Sequence, residues 1–258
     1  MELSFKDKVV VITGGTDGIG LETAKLFCES GARVAVCGRN KEKLQNAVTV
    51  LEAYGTTVFS QICDVTVPEQ FFSFADKAEE ALGTFDVFIN NAGNMPFSML
   101  KDMDVKFFDD VINANLRPIF LGAKVAYEKM RERGGVLINA ASFAAKMPSV
   151  GFSVYAAAKA GVVSLTQSFA SELAPYGIRV LGYAPGFTVT NLNRKQAEMD
   201  DVLSPISMNR LGAPIDIAKA ILFMASDLAG YISGTCIEIS GAKYSTQNPS
   251  FAWKNANR

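Results

Sequence analysis

The sequence predicts one doubly wound α/β domain, a parallel sheet of about seven strands with helices on both faces and right-handed crossovers. Three observations predict it. Short β-branched apolar runs alternate with amphipathic stretches along most of the chain, and the first run ends in a glycine cluster that opens a helix. No internal repeat, linker or low-complexity tract divides the 258 residues.

Taken in order, Lys8–Thr13 (KVVVIT) is the first buried strand. It runs into Gly14-Gly15-Thr16-Asp17-Gly18-Ile19-Gly20 and then a helix, LETAKLFCES, closed by Gly31. Strand, glycine turn and helix together suit a phosphate site, the plainer alternative being a tight βα turn that holds nothing. Glycine lets the backbone approach a pyrophosphate, and the helix N-terminus offers free N–H groups and a partial positive charge. Ala32–Val36 is the second strand, ending in Cys37-Gly38-Arg39-Asn40. At this place an acid holds the 2′-hydroxyl of NAD, whereas a base accommodates the 2′-phosphate of NADP. Arg39 stands here with no acid before Glu42, so NADP is the preferred cofactor and NAD the second choice. Asp17 opposes an extra phosphate and moderates that preference.

A helix over Lys41–Ala53 and a strand over Thr57–Ile62 lead to Cys63-Asp64-Val65. Asp64 is placed either to accept from an adenine amino group or to cap the turn before Pro68. After helix Glu69–Leu82 and strand Phe85–Ile89 comes Asn90-Asn91-Ala92-Gly93, small and amide residues suited to lie against a cofactor ribose. One helical region spans Asp104–Arg133, its ladder weakened by Asn113, Asn115 and Pro118. Strand Val136–Asn139, helix Val154–Tyr176, strand Ile178–Tyr183, helix Ile215–Ser226 and strand Cys236–Ile239 complete the alternation. Thr190–Ala213 is too long and irregular for an ordinary connection and reads as a lid. The tail from Gly241, with Tyr244, Phe251 and Trp253, follows no regular pattern.

Composition narrows the chemistry. Hydrophobic residues make up 49% and charged residues 20%, the balance of a globular enzyme. A net charge of −1 with intermixed signs offers no footprint for nucleic acid. No apolar run approaches the roughly 20 residues that span a bilayer, and the N-terminus has no secretory pattern. Four cysteines without paired spacing read as reduced core residues, which points to the cytoplasm. The chain contains no histidine, which removes Ser-His-Asp hydrolysis, histidine-based hydride transfer and most transition-metal sites. Acid-base chemistry near neutrality must then use a shifted Tyr, Lys, Asp, Glu or Cys.

Tyr155 and Lys159 answer that need. They stand four residues apart in an Ala-rich helical run and so share a face. Ser142 ends the apolar run GGVLINAA, thirteen residues before the tyrosine. A free phenol titrates near 10. An ammonium about 4 Å away would interact by about 4 kcal/mol and shift the phenol by about 3 units, toward working pH. The plainer reading is an ordinary amphipathic helix with a core tyrosine and a solvated lysine.

With these pieces in place, the chain resembles the short-chain dehydrogenase/reductase family from about Phe5 to Gly241. The resemblance rests on TGGTDGIG (Thr13–Gly20), NNAG (Asn90–Gly93), Asn115, Ser142, YAAAK (Tyr155–Lys159) and PGFTVT (Pro185–Thr190), in family order and spacing. It implies the short, single-domain Rossmann-like branch and an NAD(P)-dependent interconversion of alcohol and ketone. Tyr155 would be the general acid or base. Lys159 would lower its pKa and bind the nicotinamide ribose, Ser142 would hold the substrate oxygen, and Asn115 would place a water linking Lys159 to solvent. Gly14, Thr16, Asp17, Gly18, Ile19, Gly20, Arg39, Asp64, Val65, Asn91, Ala92, Gly93, Pro185, Gly186, Thr188 and Thr190 would contact the dinucleotide. The family also implies a homotetramer or dimer. Leu181, Pro118 and Gly241-Ala242-Lys243 depart from its usual pattern without removing a catalytic group.

Asn94, Met95, Pro96 and Phe97, with Phe143, Met147, Val150 and Phe152, are expected on the substrate side, and Phe187 and Leu192 close it. Such an apolar wall favours a small hydrophobic carbonyl or alcohol of hydroxysteroid or 3-oxoacyl type. Lys146, Arg194 and Lys195 at the rim read as surface charges, the alternative being contact with an anionic tail such as a bile-acid carboxylate or an acyl-thioester carrier. The alternative is a catalytically silent nucleotide-binding protein, regulatory or scaffolding, on the same fold.

Overall fold

The structure, a computed structural model, describes residues 3–190 and 203–255. Seven strands form one parallel sheet in the order β3-β2-β1-β4-β5-β6-β7. They are β1 (Val9–Thr13), β2 (Arg33–Gly38), β3 (Val58–Ile62), β4 (Val87–Asn90), β5 (Gly135–Ala140), β6 (Ile178–Pro185) and β7 (Cys236–Ile239). The order reverses between β1 and β4, and sheets of this kind bind ligands at the C-terminal strand ends beside such a reversal. Thr13, Asn90 and Ala140 end their strands there.

Alternation along the strands separates two apolar layers. Val9 and Val11 face a layer with Phe71, Phe74 and Ala78 of α3 (Pro68–Leu82), Leu121 and Met130 of α5 (Arg117–Met130), and Leu173 of α6 (Ser153–Leu173). Val10 and Ile12 face the opposite layer, with Ala24 and Phe27 of α1 (Gly18–Glu29), Leu44 and Leu51 of α2 (Lys41–Glu52), and Ile217, Ile221 and Met224 of α7 (Pro214–Ala225). Phe27, Phe71 and Phe88 are wholly buried, so truncating any of them to Ala costs about 3–5 kcal/mol.

The helical region expected over Asp104–Arg133 is two helices. α4 (Val105–Asn115) ends at Leu116 (φ −112°, ψ −48°), and α5 starts at Arg117. Pro118 lies in the first turn of α5, where its missing N–H leaves no carbonyl unpaired. The proline therefore divides the region instead of weakening one continuous ladder.

The C-terminal tail is also more ordered than its sequence suggests. It ends in α8 (Phe251–Asn255), Tyr244 stacks on Phe143 with ring centroids 6.3 Å apart, and Trp253 Nε1 donates to the Ser207 carbonyl at 2.7 Å. Of the expected lid, the part from Leu203 to Ala213 folds onto the body: Ile206 is buried and Thr188 bridges Gly212. The remainder of that expectation lies outside the described residues. Among the described residues no helix is long and apolar enough to cross a membrane.

Candidate active site

A groove of about 520 Å³ opens along the C-terminal ends of β1, β2, β3 and β4. Gly14, Thr16, Asp17, Gly18, Ile19, Gly20, Arg39, Asp64, Val65, Asn91, Ala92, Gly93 and Thr190 all line it. Asp17 caps α1 by accepting from Gly18 N at 2.7 Å. The first N–H groups of a helix lack intrahelical partners, so this groove presents both donors and the positive end of the α1 dipole. Close approach requires the glycines. A Cβ on Gly14, whose φ is +67°, would fall 2.9 Å from Ala92 Cα, and one on Gly20 would overlap the Gly14 carbonyl.

Asn91 stitches the two loops together. Its Nδ2 donates to the carbonyls of Thr13 and Gly14, each at 3.0 Å, while its Oδ1 accepts from the Tyr183 hydroxyl at 2.9 Å. Tyr183, on β6, is almost fully buried, and burial holds its phenol protonated far above the ordinary range. It escapes a sequence reading because in β6 it looks like one more apolar strand residue.

At the β2–β3 end of the groove, Arg39 lies 3.7 Å from Asp64 and is largely exposed. Asp64 takes the turn-capping role, its Oδ1 accepting from Thr66 N and Oγ1 at 2.9 and 2.8 Å, and it also lines the groove. Lys43 Nζ pairs with Asp17 Oδ2 at 2.8 Å and also lines the groove with Asn40. Neither was singled out from sequence. The signal was there, since Lys43 follows Arg39 by four residues at the start of α2. The pair also offsets the negative charge of Asp17.

The second half of the site sits at the ends of β5 and β6. Ser142 follows β5, accepts from Ala144 N at 3.1 Å and has its hydroxyl near the Tyr155 phenol, whose charged form it favours. Tyr155 and Lys159 lie near the start of α6 on one side, with the ammonium 5.7 Å from the tyrosine ring centroid. Lys159 is 4% exposed and donates to the Ala140 carbonyl at 2.7 Å. Asn115 reaches the same place from α4: a Cβ on Gly93 would stand 2.8 Å from its Oδ1 and 3.7 Å from Lys159 Nζ. Asn115 Nδ2 donates to Val111 O and Asn94 Oδ1, each at 3.0 Å. Asn94, expected on the substrate side, is thus committed to Asn115.

The electrostatics correct one expectation. Tyr155 is shifted up, not down: burial disfavours the phenolate, and the neighbouring Ser142 hydroxyl only partly opposes it. The neighbouring cation does not reverse this because burial works against it too, lowering the Lys159 pKa to about 8. The fixed hydrogen bond to Ala140 orients the lysine without neutralising it.

Pro185 and Gly186 leave β6 beside β7, where Gly186 N donates to the Ile239 carbonyl. Thr188 is buried, and Thr190 packs against Gly18, so the strand-six loop closes on the α1 N-terminus. Pro185, Gly186, Thr188, Tyr155 and Lys159 stand outside the groove lining itself. Of the expected substrate residues, Phe97 crosses Phe152 edge-on at 5.5 Å and is 62% exposed. Phe143 is buried beside Ser142, Phe187 lies near Lys243, and Met95 is half-buried after the Asn91–Gly93 turn. Lys146 pairs with Glu238 at 3.2 Å on the surface. Leu192, Arg194 and Lys195 lie outside the described residues. All four cysteines are free thiols, and among the described residues no cluster of His, Cys, Asp or Glu suits a metal ion.

Comparison with known proteins agrees with this architecture. The family model for short chain dehydrogenase matches residues 8–201. A 3-oxoacyl-[acyl-carrier-protein] reductase, FabG, of Thermotoga maritima is 36% identical over 242 residues, 93% of this chain and 98% of that protein. A 7α-hydroxysteroid dehydrogenase solved with NADH and 7-oxo glycochenodeoxycholic acid superposes with a TM-score of 0.90 at 31% identity, covering 95% of this chain and 98% of that one. An NADPH-bound short chain oxidoreductase from Pseudomonas aeruginosa PAO1 superposes with a TM-score of 0.87 at 32% identity, covering 93% and 98%.

Proposed function

The chain belongs to the short-chain dehydrogenase/reductase family, an oxidoreductase acting on CH–OH and C=O groups, and from that premise we propose an NADP-preferring reductase of hydrophobic ketones. One observation carries the reading: Ser142, Tyr155 and Lys159 converge at the end of β5, beside a glycine-lined groove at the C-terminal ends of β1 to β4.

The residues present fit that cofactor. The α1 N-terminus and Gly14–Gly20 would hold the pyrophosphate, and Asn91–Gly93 a ribose. Arg39 and Lys43 would hold a 2′-phosphate, with Lys43 already balancing Asp17. When bound, the nicotinamide supplies or takes the hydride. The chain supplies position and the proton. Ser142 holds the substrate oxygen against the Tyr155 hydroxyl, which gives its proton to the developing alkoxide in reduction and takes it back in oxidation. Its raised pKa suits the acid role, since the phenol is protonated across the working range. Lys159 stabilises the tyrosinate left behind. Asn115, anchored to Asn94 and Val111, shapes the solvent side of Lys159 at Gly93 and would place a water there.

Phe97, Phe143, Phe152, Phe187 and Met95 suit an apolar frame around the carbonyl. The similarity to a 3-oxoacyl reductase and to a hydroxysteroid dehydrogenase supports the same substrate class. Exposed Phe108 on α4 and Phe120 on α5 favour a homodimer or tetramer through this face, and four free thiols suit the cytoplasm. The test is a screen of steroids, bile acids, acyl thioesters and simple ketones, following oxidation of NADPH and of NADH. Turnover confined to compact polar carbonyls, or faster with NADH throughout, would refute this reading.

A further inference from the structure

After β7 the backbone makes an unusual turn around Lys243. Ala242 (φ +59°) and Tyr244 (φ +48°) flank it, both in the left-handed region that residues with a Cβ seldom enter. Such strain persists only where surrounding contacts enforce it. Here Lys243 N donates to Ser240 Oγ at 3.2 Å, Tyr244 N donates to the Pro205 carbonyl at 2.8 Å, and Ile206 pairs with Lys243 across an antiparallel bridge.

This turn delivers the lysine into an aromatic enclosure. Its Nζ lies 5.3 Å from the Phe143 ring centroid, 5.6 Å from that of Phe187 and 5.7 Å from that of Tyr244. Phe143 adjoins Ser142, and Phe187 follows the Pro185-Gly186 turn, so the ammonium lies against residues that follow both β5 and β6. Among the described residues no carboxylate pairs with it. The nearest acid in sequence, Glu238, is engaged by Lys146 and Ser240. The ring faces attract the cation without cancelling its charge. Burial alone lowers its pKa, as expected for a charge held from water without an anion. A half-buried ammonium kept in place but not neutralised is a receptor for an anion.

We propose that Lys243 is a specificity-determining residue that binds a carboxylate on the substrate, so that the preferred substrate is an oxo acid with an apolar frame rather than a neutral ketone. This rests on the proposed reading of the Ser142–Tyr155 end as the carbonyl site. Phe143 and Phe187 flank the apolar segment while the ammonium fixes the anionic end, orienting the carbonyl toward Ser142. Charge-assisted hydrogen bonds in water-poor surroundings separate ionic from neutral ligands by at least an order of magnitude.

The experiment compares 4-oxodecanoate with its methyl ester on wild type, Lys243→Met and Lys243→Arg. Methionine keeps an apolar stem against the rings, and arginine restores the cation. With NADPH, wild type should show at least a tenfold higher kcat/KM for the acid, carried by KM. Lys243→Met should reduce that acid-over-ester ratio at least tenfold, and Lys243→Arg should recover part of it. Calorimetric titration of acid and ester onto NADPH-loaded protein reads the same preference without chemistry. A wild type that binds the two equally, fails to bind the acid, or keeps its ratio in Lys243→Met overturns the proposal. Acid binding that depends on Lys243 without turnover would sustain it and count against the catalytic reading alone.

Discussion

The Lys159 ammonium donates to the Ala140 carbonyl at 2.7 Å, and this bond, not an ion pair, fixes the lysine beneath the Tyr155 ring. Strand β5 therefore sets the position of a group carried on α6. A buried cation with one carbonyl partner is held at a cost in stability, which is the usual signature of a group kept for function.

That cost has a pH dependence. Lys159 has a folded-state pKa of about 8 against 10.5 for an ordinary lysine, so between these values the unfolded chain binds more protons than the folded one. Stability then rises with pH through this window, and the full penalty, of order 3 kcal/mol, applies below it. Lys159→Met removes the charge and loses one hydrogen bond of about 1 kcal/mol. It should be more stable than wild type at pH 7, by about 1–3 kcal/mol, and the gap should close toward pH 10.5. Thermal melts at both pH values check this.

Tyr155→Phe removes the proton donor but keeps the ring. Turnover should fall by about 10²–10⁴-fold, the usual contribution of a positioned acid or base. NADPH affinity, read by cofactor fluorescence, should stay within a few-fold. In wild type, alcohol oxidation should accelerate as pH rises, because burial keeps the phenol protonated at neutrality.

Gly20→Ala places a methyl group on the Gly14 carbonyl and 2.5 Å from Asn91 Nδ2. Dinucleotide affinity should drop at least tenfold, about 1.4 kcal/mol. Gly55→Ala is the control for affinity: its left-handed backbone (φ +75°) makes a Cβ costly to stability, but nothing lies within 4 Å of the added carbon and the residue is outside the groove. Equilibrium titration with NADPH distinguishes the two.

Arg39→Asp should move the kcat/KM ratio from NADPH toward NADH by about 10²-fold, through loss of a 2′-phosphate partner and gain of a 2′-hydroxyl acceptor. Lys43→Gln should weaken NADPH binding by less and leave NADH nearly unchanged. Equal effects of Arg39→Asp on both cofactors would remove Arg39 from cofactor choice.

Tyr183→Phe deletes the hydroxyl that donates to Asn91 Oδ1 and leaves that acceptor buried. Destabilisation of about 1–3 kcal/mol is expected, together with weaker cofactor binding, because Asn91 also holds the carbonyls of Thr13 and Gly14. Denaturant melts and NADPH titration test the two effects separately.

The sheet, the glycine turn and the Tyr155–Lys159 face were legible because each is a local pattern. Strand-length apolar runs, a βα turn and a four-residue helical spacing need no knowledge of distant residues. Pro118 was visible too, yet whether it bends or divides a helix depends on how the following turn packs, and here Pro118 and Ile119 are buried. Only the tertiary structure decided the charges and the partners. Tyr155 faces burial as well as a cation, Lys43 returns to Asp17 across 26 residues, and Tyr183 reaches Asn91 across 92. Lys243 comes to rest among Phe143, Phe187 and Tyr244. Desolvation and long-range pairing arise when the sheet closes and its loops meet at one end, and no local spacing records that.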